Sequence, residues 1–412
     1  MGNTTSLKLD YKKTFILGFG FFTTGLVWPL YNVYVPLFLR QFFDRQLIIN
    51  GIMTLDNILA IFLIPVISAM SDRTVTRYGK RKPYIMVGLP ISALMFILLP
   101  GFSHNFLFLM VIITILNFSM AIYRGPVVAL MPDMTPPELR SEANGIINFM
   151  GGLASVFVLI GGSFMYAANR NLPFMATGIV MVISLIIIMR FIKEPTTYAP
   201  SEKKEKVPIL KTIRDVIGAK DQKTIKILFA ILFWFIGYQG LEATFSNYAV
   251  YYLNLAEEEA SLILGGYALA FLLFAIPSGF IGKKLGKKRA ILIGLTVDIF
   301  IFIILGLMGP AGLIPFNKTT MIALFGVAGI FWAFININSY PYVVQGVSEE
   351  KVGTYTGLYY FFSSIAAISG PFIYGLFVDY IGFNVLFYVT AATFAIAWVF
   401  VQLIKTNHTE VM

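Results

Sequence analysis

The chain has 412 residues, of which 58% are hydrophobic and only 13% charged, with a formal net charge of +10. Soluble domains carry roughly twice that charged fraction, so a water-soluble globular protein is excluded and lipid must be the solvent for most of the surface. Cysteine is absent, which rules out disulfides and thiolate metal sites.

A bilayer core calls for about 20 mainly apolar residues per helix. In chain order, the sequence predicts such spans at Phe15 to Leu39, Leu47 to Met70, Tyr84 to Pro100, Phe106 to Leu130, Ala143 to Ala168 and Leu172 to Phe191. A second set follows at Ile225 to Leu253, Ala260 to Ile281, Ala290 to Met308, Thr319 to Val344, Gly353 to Val378 and Phe383 to Ile404. The first run is too long for a signal peptide and lacks a small-residue cleavage pattern, so it is expected to stay in the protein. The reading is an all-α membrane protein of twelve transmembrane helices.

Between the two sets lies the longest polar stretch. It divides the chain into a first bundle (1–193), a cytoplasmic linker (194–224) and a second bundle (225–412). Within the linker, Ile209 to Ile217 has the pattern of a short amphipathic helix at the membrane surface. The positive charge is topological. Of 31 Lys and Arg, all but five fall in or beside one set of alternate loops; the opposite set holds Arg40, Arg45, Arg170 and Lys318, and Arg124 lies inside a span. This asymmetry places both termini in the cytoplasm of a cell (inner) membrane protein, and it removes the need for a nucleic-acid partner.

The halves resemble each other. Ser71 to Pro83 after span two and Gly282 to Arg289 after span eight are short basic turns around a glycine, and Gly145, Phe149 and Ala154 recur as Gly357, Phe361 and Ala366 at a constant offset of 212. Two pseudo-symmetric six-helix bundles with a substrate site near the midplane are the transporter architecture this implies.

Ionisable side chains within spans are few: Asp56, Arg124, Glu242 and Asp298. Each costs at least about 2.5 kcal/mol at a helix centre unless it meets a partner or water. Asp56 sits beside Asn57, and Arg124 follows Asn117 by seven residues, on one face of its helix. An Asp56–Arg124 pair would offset two desolvation costs, either as a static brace or as a coupling device that protonation releases. Glu242 shares a face with Tyr238, next to Gln239; Asn336 shares one with Tyr340, whereas Asn338 points elsewhere. Span five adds Asn144 and Asn148, and span one Trp28 and Asn32. Amides, carboxylates and aromatic faces suit a hydroxyl-rich ligand, although any single Asn also serves helix-to-helix bonding. Asp298 is expected on a peripheral span in a structural role.

On the cytoplasmic side, Asp72 is placed to lock against the positive N-terminus of span eleven. Arg73, Arg77 and Arg81 are placed to meet acids such as Asp133 or Glu138. Gly79 turns this loop.

Ser71-Asp72-Arg73 followed by Gly79-Lys80-Arg81-Lys82-Pro83 resembles the loop of the major facilitator superfamily in the form found in glycoside-pentoside-hexuronide:cation symporters and the sucrose transporter family. The stretches Asp56 to Ala60, Arg124 to Pro136, Arg140 to Gly145, Asn336 to Pro341 and Tyr355 to Ser363 are similar to bacterial relatives of the sucrose group. The resemblance implies proton-driven uptake of a disaccharide or other glycoside by a rocker-switch cycle, and it adds Tyr359 to the substrate residues and Arg140 to the cytoplasmic gate. Sodium-coupled members carry an acid on span four where this chain has Arg124, and a second acid on span two where it has Ala60. Sodium needs several hard oxygen ligands, so the resemblance favours a proton as coupling ion, with no other cofactor and no metal. Two complete halves make a functional monomer the expectation. A proton-antiporting exporter of drugs or metabolites and a passive facilitator are the alternatives. No Walker A or HExxH pattern occurs, and the two histidines, His104 and His408, lie in a loop and the tail, so an ATP-driven pump and an intramembrane enzyme are not expected.

Overall fold

In the computed structural model, residues 8–194, 222–310 and 312–404 are described. Their regular structure is helical apart from one isolated bridge between Met308 and Ile314. The helices are α1 (Tyr11–Arg40), α2 (Gln46–Met53), α3 (Leu55–Arg73), α4 (Lys82–Leu98), α5 (Phe106–Met134), α6 (Arg140–Val156), α7 (Gly162–Ala168) and α8 (Leu172–Phe191). After the linker come α9 (Gln222–Asn247), α10 (Glu257–Leu285), α11 (Lys287–Leu307), α12 (Lys318–Val343), α13 (Glu349–Ile381) and α14 (Leu386–Gln402). Eleven helical stretches of the described residues are long and apolar enough to cross a membrane; the twelfth predicted span is α4, with 17 residues. The predicted amphipathic segment at 209–217 lies outside the described residues.

Several helices continue past the predicted ends. Span one runs to Arg40, span two to Arg73, and span eleven over Glu349–Ile381. The apolar pattern stops at the last lipid-facing residue, but the backbone ladder continues while long charged side chains reach water. The second and fifth spans are each built from two helices. Thr54 separates α2 from α3, its hydroxyl turned back to the Asn50 carbonyl at 2.7 Å. A π-helical turn at Phe157–Gly161 joins α6 to α7. Asn105 and Asn317 cap α5 and α12 by accepting the backbone N–H of Phe108 and Thr320, satisfying donors a helix start leaves unpaired. Large apolar side chains face outward along the helices; Phe62, Phe280 and Phe300 are each more than 60% exposed, as a lipid-facing surface requires.

The chain divides into two compact units that do not follow chain order. One holds the chain up to Tyr34 and from Leu55 through α8; the other holds Val35–Thr54 and everything described from 222 onward. In the first unit α4 packs on α5 and α8, and α3 on α5. Gly88 makes the α4–α5 approach feasible, because a Cβ there would lie 2.7 Å from the Ser119 carbonyl oxygen; one turn on, the Ser92 and Ser119 hydroxyls bond at 2.7 Å. Small residues and hydroxyls of this kind join helices where no hydrophobic force can act between them. In the second unit the main pairings are α10 with α12, α9 with α13 and α14, and α11 with α12 and α14.

Candidate substrate and coupling sites

In the first unit, α1, α3 and α5 bring together residues from three predicted spans. Asp56, half-buried near the start of α3, accepts from the Asn57 backbone N–H at 2.6 Å and from the Asn57 amide at 2.9 Å. Tyr31 of α1 lies within electrostatic reach of Asp56 and beside Asn117 of α5. Trp28 meets Tyr31 edge-on at 5.6 Å, and the Arg124 guanidinium lies over the Trp28 ring at 5.9 Å. The acid and the base therefore bracket one aromatic pair. Trp28 Nε1 and Asn117 Oδ1 are buried and have no hydrogen-bond partner. A buried orphan donor or acceptor costs about 1–3 kcal/mol, which marks the spot as built for something polar. Asn32 sits half-buried on α1. Asn148 does not join this cluster: it is exposed and donates to the Asn144 carbonyl of its own helix at 2.8 Å.

In the second unit, Tyr238 of α9 stacks on Trp332 of α12 with centroids 4.6 Å apart and planes 4° from parallel. Phe235 meets both Trp332 and Tyr359 edge-on, and Tyr359 meets Tyr340 at 5.6 Å. The result is a continuous aromatic wall across α9, α12 and α13. Its hydroxyls are anchored: Tyr359 to Ser339 at 3.1 Å and Tyr340 to Thr356 at 3.0 Å. Glu242 lies near Tyr238 and Tyr267, with Gln239 and Asn336 half-buried nearby in sequence on α9 and α12. The sequence reading missed Trp332, Phe235 and Tyr31. The signal was there: Trp332 precedes Asn336 and Tyr340 at four-residue intervals, and Phe235 and Tyr31 lie three residues from Tyr238 and Trp28, each on the same helical face.

Two side chains take structural places. Asn338 is buried and donates to the carbonyls of Phe334 at 2.9 Å and Ser278 at 3.2 Å, clamping α12 to α10. Asp298, expected on a peripheral span in a structural role, is 1% exposed, with Oδ1 unpartnered and Tyr267 nearby. The span packs on both α12 and α14, so its inner face is covered although its outer face is apolar.

The basic loop of the first unit forms a dense cluster. Arg81 is 4% exposed and donates to Asp133 at 2.8 Å, to the Ser71 hydroxyl at 3.1 Å and to Asp72. Burial works against its charge, but the carboxylates of Asp133 and Asp72 outweigh that and raise its pKa above the ordinary value. Lys80 adds a second contact to Asp133 at 3.3 Å. Asp72 therefore pairs with Arg81 of its own loop. Arg73 is exposed, and Arg77 turns to Tyr78 rather than to an acid, bonding its hydroxyl at 2.6 Å and covering its ring at 4.7 Å. Arg140 binds the carbonyls of Pro132 and Thr135 at 2.9 and 3.2 Å, fixing the turn between α5 and α6.

The anchor of this loop was not foreseen. Glu194 accepts three backbone N–H groups, from Lys80 at 2.8 Å, Arg81 at 3.0 Å and Lys82 at 2.8 Å, a carboxylate cap on the start of α4. Gly79 is required twice over: its φ is +105°, and a Cβ would sit 2.5 Å from the Glu194 carboxyl group. Glu194→Ala is expected to lower the stability of the detergent-solubilised protein by about 2 kcal/mol, through loss of a charged cap; an unchanged thermal midpoint would refute that role.

Comparison with known proteins agrees with this architecture. The nucleoside transporter NupG superposes with a TM-score of 0.74 over 95% of this chain and all of its own, at 14% identity. The isoprimeverose transporter of Lactiplantibacillus pentosus is 22% identical over 71% of this chain and 63% of its own length. The class H tetracycline resistance protein of Pasteurella multocida is 23% identical over 86% of this chain and 85% of its own. The sequence model described as MFS/sugar transport protein matches residues 16–406. With nearly the whole chain inside that match and helices built to cross a membrane, this protein belongs to the MFS/sugar transport protein family and is a transporter rather than an enzyme.

Proposed function

We propose that the protein is a proton-coupled symporter that carries a disaccharide or related glycoside across the cell (inner) membrane by alternating access. Its twelve spans form two pseudo-symmetric six-helix bundles with both termini in the cytoplasm, and the monomer is the working unit. Asp56, with Arg124, couples the proton in the first bundle, and Glu242 adds a second carboxylate on α9. The carrying observation is the pair of buried, unpartnered polar atoms, Trp28 Nε1 and Asn117 Oδ1, in the cluster that Asp56 and Arg124 flank. Sugar hydroxyls, which both donate and accept, supply partners for such atoms, whereas an apolar drug leaves them unpaired at a cost of about 1–3 kcal/mol each.

The test is uptake of a panel of labelled disaccharides into proteoliposomes, with an inward proton gradient and separately with sodium. Faster, concentrative uptake of at least one sugar with protons is expected; no acceleration with any sugar overturns the reading. The extent of the aromatic wall, together with the tetracycline resistance relative, favours drug export as the second reading. Proton-driven efflux of an amphipathic dye in the same vesicles would establish it. Arg124→Lys is expected to lower sugar uptake at least tenfold, because lysine keeps the charge but not the planar, multi-donor guanidinium that lies over Trp28. Wild-type uptake in that variant would remove Arg124 from the mechanism.

A further inference from the structure

At one end of the second unit, three helices leave a cavity of about 490 Å³ between them. Its walls are the start of α9, the end of α12, the start of α13 and the turn 344–348 that joins the last two. Gly346 makes that turn with φ at +78°. Two lysines, Lys223 of α9 and Lys351 of α13, line the space. The Lys223 ammonium lies over the Tyr342 ring at 5.4 Å, a contact that holds the charge at the wall. Gln345 accepts from Lys287 of α11 at 3.1 Å. Its amide N–H groups are thereby left as donors, and a third lysine stands behind the wall. Ser348 occupies the N-cap position of α13, yet its side chain makes no capping bond. The hydroxyl is left to the cavity, at the end of a 33-residue helix that carries partial positive charge.

The chemistry of this lining is one-sided. Two ammonium groups, an amide N–H pair, a hydroxyl and a helix start all offer donors or positive charge, which suits an anion with several acceptor oxygens. Phosphate fits best. A phosphate ester carries about −1.5 to −2 charges at neutral pH, which matches two ammonium groups, and lysine binds it as a point charge without the planar fork that carboxylates favour. The volume lies in the range of small-molecule sites and is larger than a bare phosphate fills. Ile227, Val343 and the Tyr355 ring supply apolar surface for the remainder of a ligand. We propose that this cavity is a binding site for a phosphate ester on the cytoplasmic side, separate from the aromatic wall. A soluble metabolite phosphate and the headgroup of an anionic lipid present the same chemistry here. The site takes from the topology proposed above only the side of the membrane, and it depends on no transported substrate.

Glycerol 3-phosphate carries the group common to both sources and is the probe. Titrated calorimetrically into the purified full-length protein in detergent, at constant ionic strength, it is expected to bind saturably. Lys223→Gln/Lys351→Gln should weaken that binding about tenfold, the size of a lost charge-assisted contact. Lys351→Gln alone, at an exposed position, should weaken it about threefold, and it carries the test if the pair does not fold. Lys283→Gln/Lys284→Gln removes the same charge from two exposed positions of the same unit that do not line the cavity, and should bind like wild type. Absence of saturable binding, unchanged affinity in the cavity variants, or an equal loss in the control pair overturns the site. Dioctanoyl phosphatidic acid in the same detergent identifies the source. Displacement of the probe at concentrations below the probe's own Kd assigns the site to a lipid headgroup, and displacement only at or above it assigns the site to a soluble ester. Because binding is read without transport, failure of the sugar reading leaves this result standing, and failure here leaves the sugar reading untouched.

Discussion

Asp56→Asn is expected to abolish proton-driven accumulation while leaving counterflow exchange of substrate intact. Asparagine matches the shape of aspartate and can keep the acceptor oxygen that now holds the Asn57 backbone at 2.6 Å, so the start of α3 should be preserved. What it loses is the ability to take up and release a proton. A one-unit pH gradient sustains about tenfold accumulation for one proton per substrate, and the variant should collapse to a ratio near one. Asp56 lies near Tyr31, whose ring meets Trp28, so a change in its charge would be felt at the residues proposed to bind substrate. Accumulation at the wild-type ratio, measured in the same vesicles, would exclude Asp56 as the coupling group.

The second large effect is expected at Arg81. Its guanidinium serves Asp133, Ser71 and Asp72 with three different nitrogens, so Arg81→Ala strips one partner from a largely buried ionic cluster. Breaking such a pair costs about 3 kcal/mol, moderated here because Lys80 stays 3.3 Å from Asp133. Arg81→Lys should recover less than half of that, since one ammonium cannot reproduce a planar fork that spans two carboxylates. Thermal denaturation in detergent reads the loss, and uptake should fall with it. A midpoint for Arg81→Ala equal to wild type would mean that the cluster carries no stability.

Parts of both candidate clusters were legible because helical periodicity is exact enough to sort faces. Tyr238 and Glu242, or Asn336 and Tyr340, follow from a four-residue spacing, and Trp28, Asp56, Asn117 and Arg124 stand out as polar or aromatic residues in apolar runs. For Asn148, spacing says which face the side chain is on, not that its own backbone will offer it a partner, as the Asn144 carbonyl does here. The burial of Asp298 was not legible, because an apolar neighbourhood in sequence reads the same whether the neighbours are lipid or protein.

Composition and hydrophobic period alone determined that this chain is an all-helical membrane protein with a few polar residues set into apolar spans. Those properties are local: each helix satisfies its own backbone, so its existence depends only on its own residues and on lipid. Which polar residues meet was decided by tertiary structure. Glu194 caps a helix more than a hundred residues away, Asp379 caps one more than three hundred residues away, and Trp332 completes a wall begun by Tyr238. A carboxylate in a loop or at a helix end carries no mark in the sequence of the N–H groups it will meet, because that pairing is fixed only when helices distant along the chain pack side by side.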